Sequence, residues 1–233
     1  MTKIITTKGR EIELDLSDPA VADWFARPQE TMTDIIVNQI NTEGLYNAVL
    51  ADKNNLVIVD IGANIGLFSL YAQDSASRII AVEPTPATLR ILKRLVGTRI
   101  EIVEAALAFK DGTVDFYVHN NPTINSLTVN QSGECITVPA KTIKTILDEL
   151  NVDHVDFVKC DIEGSEMLAL DILRLREVAD RVDSWFIEVH QTSRADEPWP
   201  GNLEKNRQIL MQRLRGVGYQ VQAIIHDQIF AYK

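Results

Sequence analysis

An α/β fold wound around a mostly parallel sheet is predicted by three observations. Short apolar runs recur along the chain at Leu56 to Val59, Arg78 to Val82, Ile100 to Val103, Val155 to Val158 and Trp185 to Val189. Helical patterns separate them, and near-continuous apolar strands alternating with helices imply a parallel sheet covered on both faces. The tail then changes period: Tyr219, Val221, Ala223 and Ile225 alternate, and Ile229 to Tyr232 follows after His226 and Asp227. That is a hairpin signal, so the sheet gains antiparallel members at its end.

The helices have local causes. Thr85 stands where it can cap a helix whose first residue is Pro86, and Leu89, Leu92 and Val96 then share one face. Ile143, Ile146, Leu147 and Leu150 repeat at helical spacing, as do Leu203, Leu210 and Leu214, with Gly216 and Gly218 marking the stop. Residues 1–50 read as a mixed preface with a strand-like start, Ile4 to Leu16, and a helix from about Pro28 to Ile40, with Glu43 to Tyr46 leading into a main domain over 51–233. Between Ala108 and Pro139 the helical signal gives way to strand-like Thr113 to Val118 and Ile136 to Val138 around a polar stretch, Asn120 to Asn125. This reads as a strand-rich insertion near the mouth of a pocket, or as a solvated hairpin.

Composition narrows the function. The 233 residues are 45% hydrophobic and 24% charged, an ordinary globular balance that one α/β domain can accommodate. Twenty-three Lys and Arg against thirty-three Asp and Glu leave a net charge of −10. That counts against a general nucleic-acid binder, whose phosphate affinity needs clustered cations. Only Cys135 and Cys160 are present, without a CxxC or a histidine cluster at zinc spacing. The polar stretch Met1 to Ser17 lacks the apolar core of a secretory signal, and no apolar run approaches the roughly 18 residues of a membrane helix. The expectation is a soluble, cytoplasmic protein with no membrane or nucleic-acid partner.

The chemistry is carried by Val57-Ile58-Val59-Asp60-Ile61-Gly62-Ala63-Asn64-Ile65-Gly66-Leu67-Phe68. It reads as a buried strand, a carboxylate at its end, and a glycine turn opening a helix. Glycine at 62 and 66 lets backbone approach a ligand, and the carboxyl ends of strands are where open α/β sheets bind ligands. Asn64 stands where a dinucleotide fingerprint needs its middle glycine, Gly66 comes one residue early, and no Gly-Lys-Ser or Gly-Lys-Thr of a phosphate loop follows. The D-x-G-x-N-x-G turn suits a ligand without a pyrophosphate, such as S-adenosylmethionine, with Asp60 orienting its methionine portion directly or through water. The second strand ends Ala81-Val82-Glu83-Pro84. A carboxylate there can accept hydrogen bonds from both hydroxyls of a ribose, which makes Glu83 the ribose candidate. The third strand's exit, Glu104-Ala105-Ala106-Leu107, is small and apolar and would suit an adenine face at Ala106.

Together, VDIGANIGLFS, AVEP, the AAL segment, the KTIKTILDEL helix and VDFVKCDIEGSE resemble the FkbM family of S-adenosylmethionine-dependent methyltransferases over roughly residues 43 to 190. The resemblance implies the Rossmann-like class I methyltransferase fold, a seven-stranded, mostly parallel sheet of order 3-2-1-4-5-7-6 with strand 7 antiparallel and helices on both faces. It implies S-adenosyl-L-methionine as cofactor and methylation usually at an oxygen. It carries the cofactor role onto Asp60, Gly62, Asn64, Gly66, Glu83 and Asp161; Ala63, Phe68, Pro84 and Ala106, beside the turn and the strand ends, are added as flanking cofactor contacts.

The acceptor side is read from the next strand ends. Asp161-Ile162-Glu163-Gly164-Ser165-Glu166 is an acid-rich turn after a central strand. Its acids could simply cap the following helix, but Asp161 falls where the inferred fold brings strand 4 to the transferred methyl. Trp185 to His190 ends the next strand, and a period of two puts Glu188 and His190 on the same side. His190 is the general-base candidate, with Asp161 or Glu163 as orienter or alternate base, because a hydroxyl nucleophile must lose its proton during methyl transfer. Asp161, Glu188 and His190 could instead hold a divalent metal; the metal-free reading is preferred. His119, His154 and His226 read as surface residues. Asn125-Ser126 either contacts ligand or makes a turn, and Arg194, Trp199 and the Pro198 to Gly201 loop are placed as a lid.

The expected function is therefore methylation of a hydroxyl on a small-molecule or glycan-like acceptor. There are two competitors: a non-catalytic cofactor-binding interaction module of the same fold, and an NAD-dependent oxidoreductase, which the glycine spacing disfavours.

Overall fold

The computed structural model describes residues 3–26, 46–118, 134–191, 203–224 and 227–233. The chain enters through a hairpin, β1 (Lys3–Ile5) antiparallel to β2 (Glu11–Glu13), followed by α1 (Pro19–Ala26). The single strand-like start of the sequence thus folds back on itself at Gly9, whose φ of 77° favours glycine. Ile4, Leu14, Val21 and Trp24 are buried in the same cluster as Ile58, Phe68 and Tyr71. The hairpin is tied down where the Thr7 amide donates to the Tyr71 carbonyl at 3.0 Å. The helix read over Pro28 to Ile40 lies outside the described residues, as do Glu43 to Leu45, Asn120 to Ser126, His119, Arg194, the Pro198 to Gly201 loop with Trp199, and His226.

After α2 (Asn47–Leu50) the main α/β winding begins with β3 (Leu56–Ile61), α3 (Leu67–Ala72), β4 (Ala76–Val82), α4 (Pro86–Val96) and β5 (Glu101–Val103). Then come β6 (Ala106–Leu107), β7 (Gly112–Val118), β8 (Glu134–Lys141), α5 (Ile143–Glu149) and β9 (Phe157–Cys160). The rest is α6 (Glu166–Ala169), α7 (Ile172–Val178), a 3-10 turn (Ala179–Arg181), β10 (Ser184–Glu188), α8 (Leu203–Gly216), β11 (Gln220–Ala223) and β12 (Gln228–Tyr232). The main sheet runs β11-β12-β10-β9-β3-β4-β5. Only β12 runs against the direction of the other strands. Counting these strands along the chain, the order is 3-2-1-4-5-7-6 with strand 7 reversed.

Alternation along each strand divides the core in two. Val59 and Ile61 of β3 pack with Val158, Cys160, Trp185 and Ile187 on one face, while Leu56, Ile58, Phe157 and Phe186 pack on the other. Helices cover both faces: Leu89, Leu92 and Val96 of α4 join the second cluster, and Ile143, Ile146 and Leu147 of α5 join the first. Asp171 caps α7 by accepting from the Leu173 amide at 3.0 Å, and Thr142 caps α5 from Thr145 at 3.1 Å. Thr85 occupies the N-cap position of α4, but its side chain makes no capping bond; its amide instead donates to Glu83.

One strand is displaced from its reading. The strand read from the apolar run at Val155 begins later, at Phe157, and ends at Cys160; just before it the Asp156 carboxylate takes the Val57 amide at 2.7 Å. The strand then runs through Lys159, a residue that ends an apolar pattern but not this strand. The segment after Ala108 forms β7 and β8, which join β6 in a separate three-stranded sheet of order β6-β8-β7. Both cysteines are free, and no helix among the described residues is long and apolar enough to cross a membrane.

Candidate active site

The carboxyl ends of β3, β4, β9 and β10 converge on one group of ionisable side chains. Asp60, next to last in β3, is fully buried, and its Oδ2 accepts the Ser69 hydroxyl of α3 at 2.7 Å. Its Oδ1 is buried without a hydrogen-bond partner. The chain then turns at Gly62, φ 77°. A Cβ at Gly62 would sit 1.8 Å from the carbonyl oxygen of Asp161, so only glycine lets the exits of β3 and β9 come this close. At Gly66, φ 88°, a Cβ would meet Leu92 Cδ1 at 2.6 Å and Val96 Cγ1 at 2.8 Å, so this glycine also seats α3 against α4.

Glu83 lies just beyond β4 and is buried. Its Oε2 accepts the Asn64 amide at 3.1 Å and its Oε1 the Thr85 amide at 2.8 Å. Burial raises its pKa, and these amides oppose the rise. An ionised carboxylate has about four acceptor positions, so with the two amides and the Thr85 hydroxyl on it Glu83 keeps capacity for a ribose hydroxyl. Asn64, in the left-handed region at φ 53°, shapes the turn as well as donating to Glu83.

The flanking candidates divide. Pro84 lines a groove of about 320 Å³ with Pro86, Leu89, Lys93 and the Thr137 to Pro139 stretch of β8, which brings the small sheet to the end of the second strand. Phe68 is turned inward, its ring 4.8 Å from Tyr46 at 63°. Ala63 is also buried in that cluster, and Ala106 is buried against Phe116 and Val138 in the small sheet. Phe68, Ala63 and Ala106 thus have packing partners where the sequence suggested ligand contact.

On the acceptor side, Asp161 follows β9 directly. Its Oδ2 accepts from Lys159 Nζ at 3.2 Å, and the same Nζ lies 3.8 Å from Asp60 Oδ1. Burial alone would raise Asp161, but the Lys159 ammonium and His190 overcome it and hold this carboxyl below its usual value. Burial would likewise lower Lys159, but Asp161 and Asp60 outweigh it and keep the ammonium charged.

The turn after Asp161 is built on Glu166. Its Oε1 accepts the amides of Ile162 at 3.1 Å and Gly164 at 3.2 Å and meets His190 Nδ1 at 3.0 Å. Glu166 is therefore an anchor for the turn rather than a plain helix cap. The turn presents Glu163 at φ 53° followed by Gly164 at φ 96°. Nε2 of His190 then lies 3.5 Å from Glu163 Oε2, 3.7 Å from Glu188 Oε1 and 3.9 Å from Asp161 Oδ1. Burial works to lower the His190 pKa, yet Glu166, Glu163 and Asp161 raise it well above the ordinary value. Burial pushes the Glu163 carboxyl up to about 8 and Glu188 to about 7, against the pull of the His190 cation. The surroundings of His190 thus favour its charged form, while burial favours the neutral forms of Glu163 and Glu188.

Three participants were not singled out from sequence: Lys159, Tyr46 and Asn206. Tyr46 is buried against Phe68 and Phe186 and feels the charges of Lys159, Asp161, Glu188 and Asp60. Asn206 of α8 donates to the His190 carbonyl at 3.0 Å and fixes the end of β10. Asp161, Glu163 and His190 also bring one ligand atom each within 4.8 Å of one another, so the set with cation spacing has Glu163 where the sequence suggested Glu188. His154 is half exposed beside Asp156 and Asp183, away from this group.

A sequence model of the methyltransferase FkbM domain matches residues 60–221, from the Asp60 turn to the final hairpin. The chain belongs to the FkbM methyltransferase family. Among curated relatives, this FkbM chain is similar to methyltransferase sdnD of Sordaria araneosa, 22% identical over 83% of this chain and 84% of that protein. It is also similar to methyltransferase 1 of Beauveria bassiana, 28% identical over 58% of this chain and 68% of that protein. Among solved structures it matches a precorrin-6y C5,15-methyltransferase from Geobacter metallireducens with TM-score 0.47 and 16% identity, covering 83% of this chain and 90% of that one. An Aeropyrum pernix fibrillarin with natively bound S-adenosyl-L-methionine matches with TM-score 0.47 and 15% identity, covering 90% of this chain and 76% of that one.

The FkbM methyltransferase uses S-adenosylmethionine as methyl donor, and the residues present fit it. Glu83 retains acceptor capacity at the end of the second strand, Gly62 and Asn64 shape the turn beside it, and Asp60 keeps an orphaned buried oxygen next to Lys159.

Proposed function

We propose that this methyltransferase acts on a hydroxyl oxygen of a small or glycan-like acceptor, with Glu163, His190 and Asp161 as the catalytic group. The observation that carries this reading is the His190 ring, held at Nδ1 by buried Glu166 while Nε2 faces Glu163, Glu188 and Asp161. When bound, S-adenosylmethionine supplies an electrophilic methyl whose leaving group is neutral and needs no acid. The demand left to the protein is alignment of the acceptor and removal of its hydroxyl proton. Glu163, once ionised, is the proton acceptor, and the His190 imidazolium beside it stabilises the negative charge that the carboxylate carries. Asp161, kept ionised by Lys159, is placed to accept a hydrogen bond from the acceptor and orient it. The main domain over 51–233 carries this chemistry in our reading, and the preface before it shapes the acceptor side.

The test is transfer of an isotope-labelled methyl group from the donor to panels of hydroxylated metabolites, glycans, amines and carboxylic acids, read by mass. Label on a hydroxyl oxygen, lost in Glu163→Gln, supports the reading. Transfer to nitrogen or carbon acceptors alone overturns it.

A further inference from the structure

Lys159 has no part in proton removal, yet it is the cation set deepest in the site. In the parallel ladder it stands opposite Asp60 of β3 and Phe186 of β10. Strand alternation puts it on the face of Phe157, where the neighbouring side chains are apolar. A lysine there is costly unless paired. Its partners are Asp161 Oδ2 at 3.2 Å and Asp60 Oδ1 at 3.8 Å, and the second distance is too long for a hydrogen bond. A pair serving stability alone would close on Asp60. Here the ammonium is drawn toward Asp161, leaving Asp60 Oδ1 buried without a hydrogen-bond partner. Asp60 is wholly buried, whereas the Lys159 side chain retains 10% exposure, so the lysine is the group a ligand reaches.

The methionine end of the donor carries an α-ammonium and an α-carboxylate. Among the described residues, the other ionisable groups around Asp161 are the acids Glu163, Glu166 and Glu188, the Tyr46 phenol, and the imidazole of His190, whose Nδ1 is taken by Glu166. The acids suit the ammonium; a carboxylate needs a cation on the Asp60 side, and Lys159 is the cation that acts on Asp60. We infer that Lys159 anchors the donor by its α-carboxylate, held in position by Asp60 and Asp161, so that Asp60 acts on the methionine portion through the lysine. The inference depends on the donor and not on the identity of the acceptor.

The test is calorimetric binding of S-adenosylhomocysteine and of 5′-methylthioadenosine, which shares the nucleoside thioether and lacks both charged groups. Lys159→Met is expected to weaken S-adenosylhomocysteine by about 10- to 100-fold, the scale of a lost charged hydrogen bond, and to leave methylthioadenosine unchanged. Lys159→Arg is expected to retain most of the affinity. Equal loss for both ligands, or no loss for either, overturns the inference. Should Lys159→Met not fold, the wild-type protein decides: decarboxylated S-adenosylhomocysteine must bind at least about tenfold more weakly than the parent, and equal affinity overturns it. Failure of wild type to bind either nucleoside would instead count against the donor site itself.

Discussion

The Nδ1 atom of His190 lies 3.0 Å from Oε1 of Glu166, a carboxylate with no solvent exposure that also holds the amides of Ile162 and Gly164. One oxygen thus fixes both the acceptor-side turn and the imidazole above it, coupling backbone geometry to a charge state. The Glu166→Gln variant can keep all three bonds through its amide oxygen but loses the charge. Ring titration by NMR is expected to show His190 protonated past neutrality in wild type, with a midpoint lower in Glu166→Gln. Because the native value is raised, the stability this pair contributes is complete below the ordinary histidine value of 6.5 and is lost as pH climbs through the native one. An unchanged midpoint would remove Glu166 as the cause.

Glu163 predicts the pH dependence of turnover. Burial places its carboxyl at about 8 against a usual 4.5, so activity is expected to climb with pH through about 8, where half of the group is ionised, and to flatten only above it. The sign for stability is opposite. Between 4.5 and about 8 the folded chain keeps a proton that the unfolded chain releases, so this group makes stability fall as pH rises through that window. Glu163→Gln should therefore lose activity yet gain roughly 1 kcal/mol above pH 8, about 2–4 °C in melting temperature for a chain of this size. A melting temperature lower than wild type at high pH would contradict the burial argument.

How much of this was legible in the sequence depends on range. Asp60, Glu83 and Asp161 sit at the ends of apolar runs, and a run with its terminal acid can be read locally; the strand order placed those ends side by side. Lys159 could not be read this way, because its partner Asp60 lies on another strand and only the register Asp60 opposite Lys159 brings them together. The one available signal was a lysine inside a run whose neighbours are buried on both faces. Asn206 reaches the site from α8 and Tyr46 from the turn before α2, and no local pattern marks them. His190 was found for its position, but its charge state follows from Glu166, Glu163 and Asp161 converging from another turn.

The two turn glycines should differ in consequence. Gly62→Ala places a methyl 1.8 Å from a backbone oxygen that cannot retreat without moving β9. Gly66→Ala meets the ends of Leu92 and Val96, which can shift by changing rotamer. Both carry the cost of positive φ, about 1 kcal/mol. Gly62→Ala should cost roughly 3 kcal/mol or more and abolish donor binding, with Gly66→Ala nearer 1–2 kcal/mol. Denaturant melts rank them, and a reversed ranking would show that the turn is not packed against Asp161.

Chelation tests the cation spacing of Asp161, Glu163 and His190. A ligating histidine must be neutral, whereas His190 is driven toward its charged form and Asp161 already has Lys159 as counter-ion. Turnover is therefore expected to survive dialysis against a strong chelator undiminished. Loss of activity restored by magnesium or manganese would place a divalent ion among these three groups and make Glu163 a ligand instead of a base.

Glu83 carries the last expectation. Its oxygens hold the Asn64 and Thr85 amides, so Glu83→Ala both removes a ribose acceptor and frees two backbone donors of the turn. Glu83→Gln keeps one amide acceptor and exposes the other to a repelling NH₂ group. Donor affinity should fall by about 1–3 kcal/mol in Glu83→Ala. The ribose contribution is separable by comparing S-adenosylhomocysteine with its 2′-deoxy and 3′-deoxy forms. Wild type should discriminate against both deoxy forms and Glu83→Ala against neither. If the variant still discriminates, the diol is bound elsewhere and Glu83 serves only to hold the turn between β3 and β4.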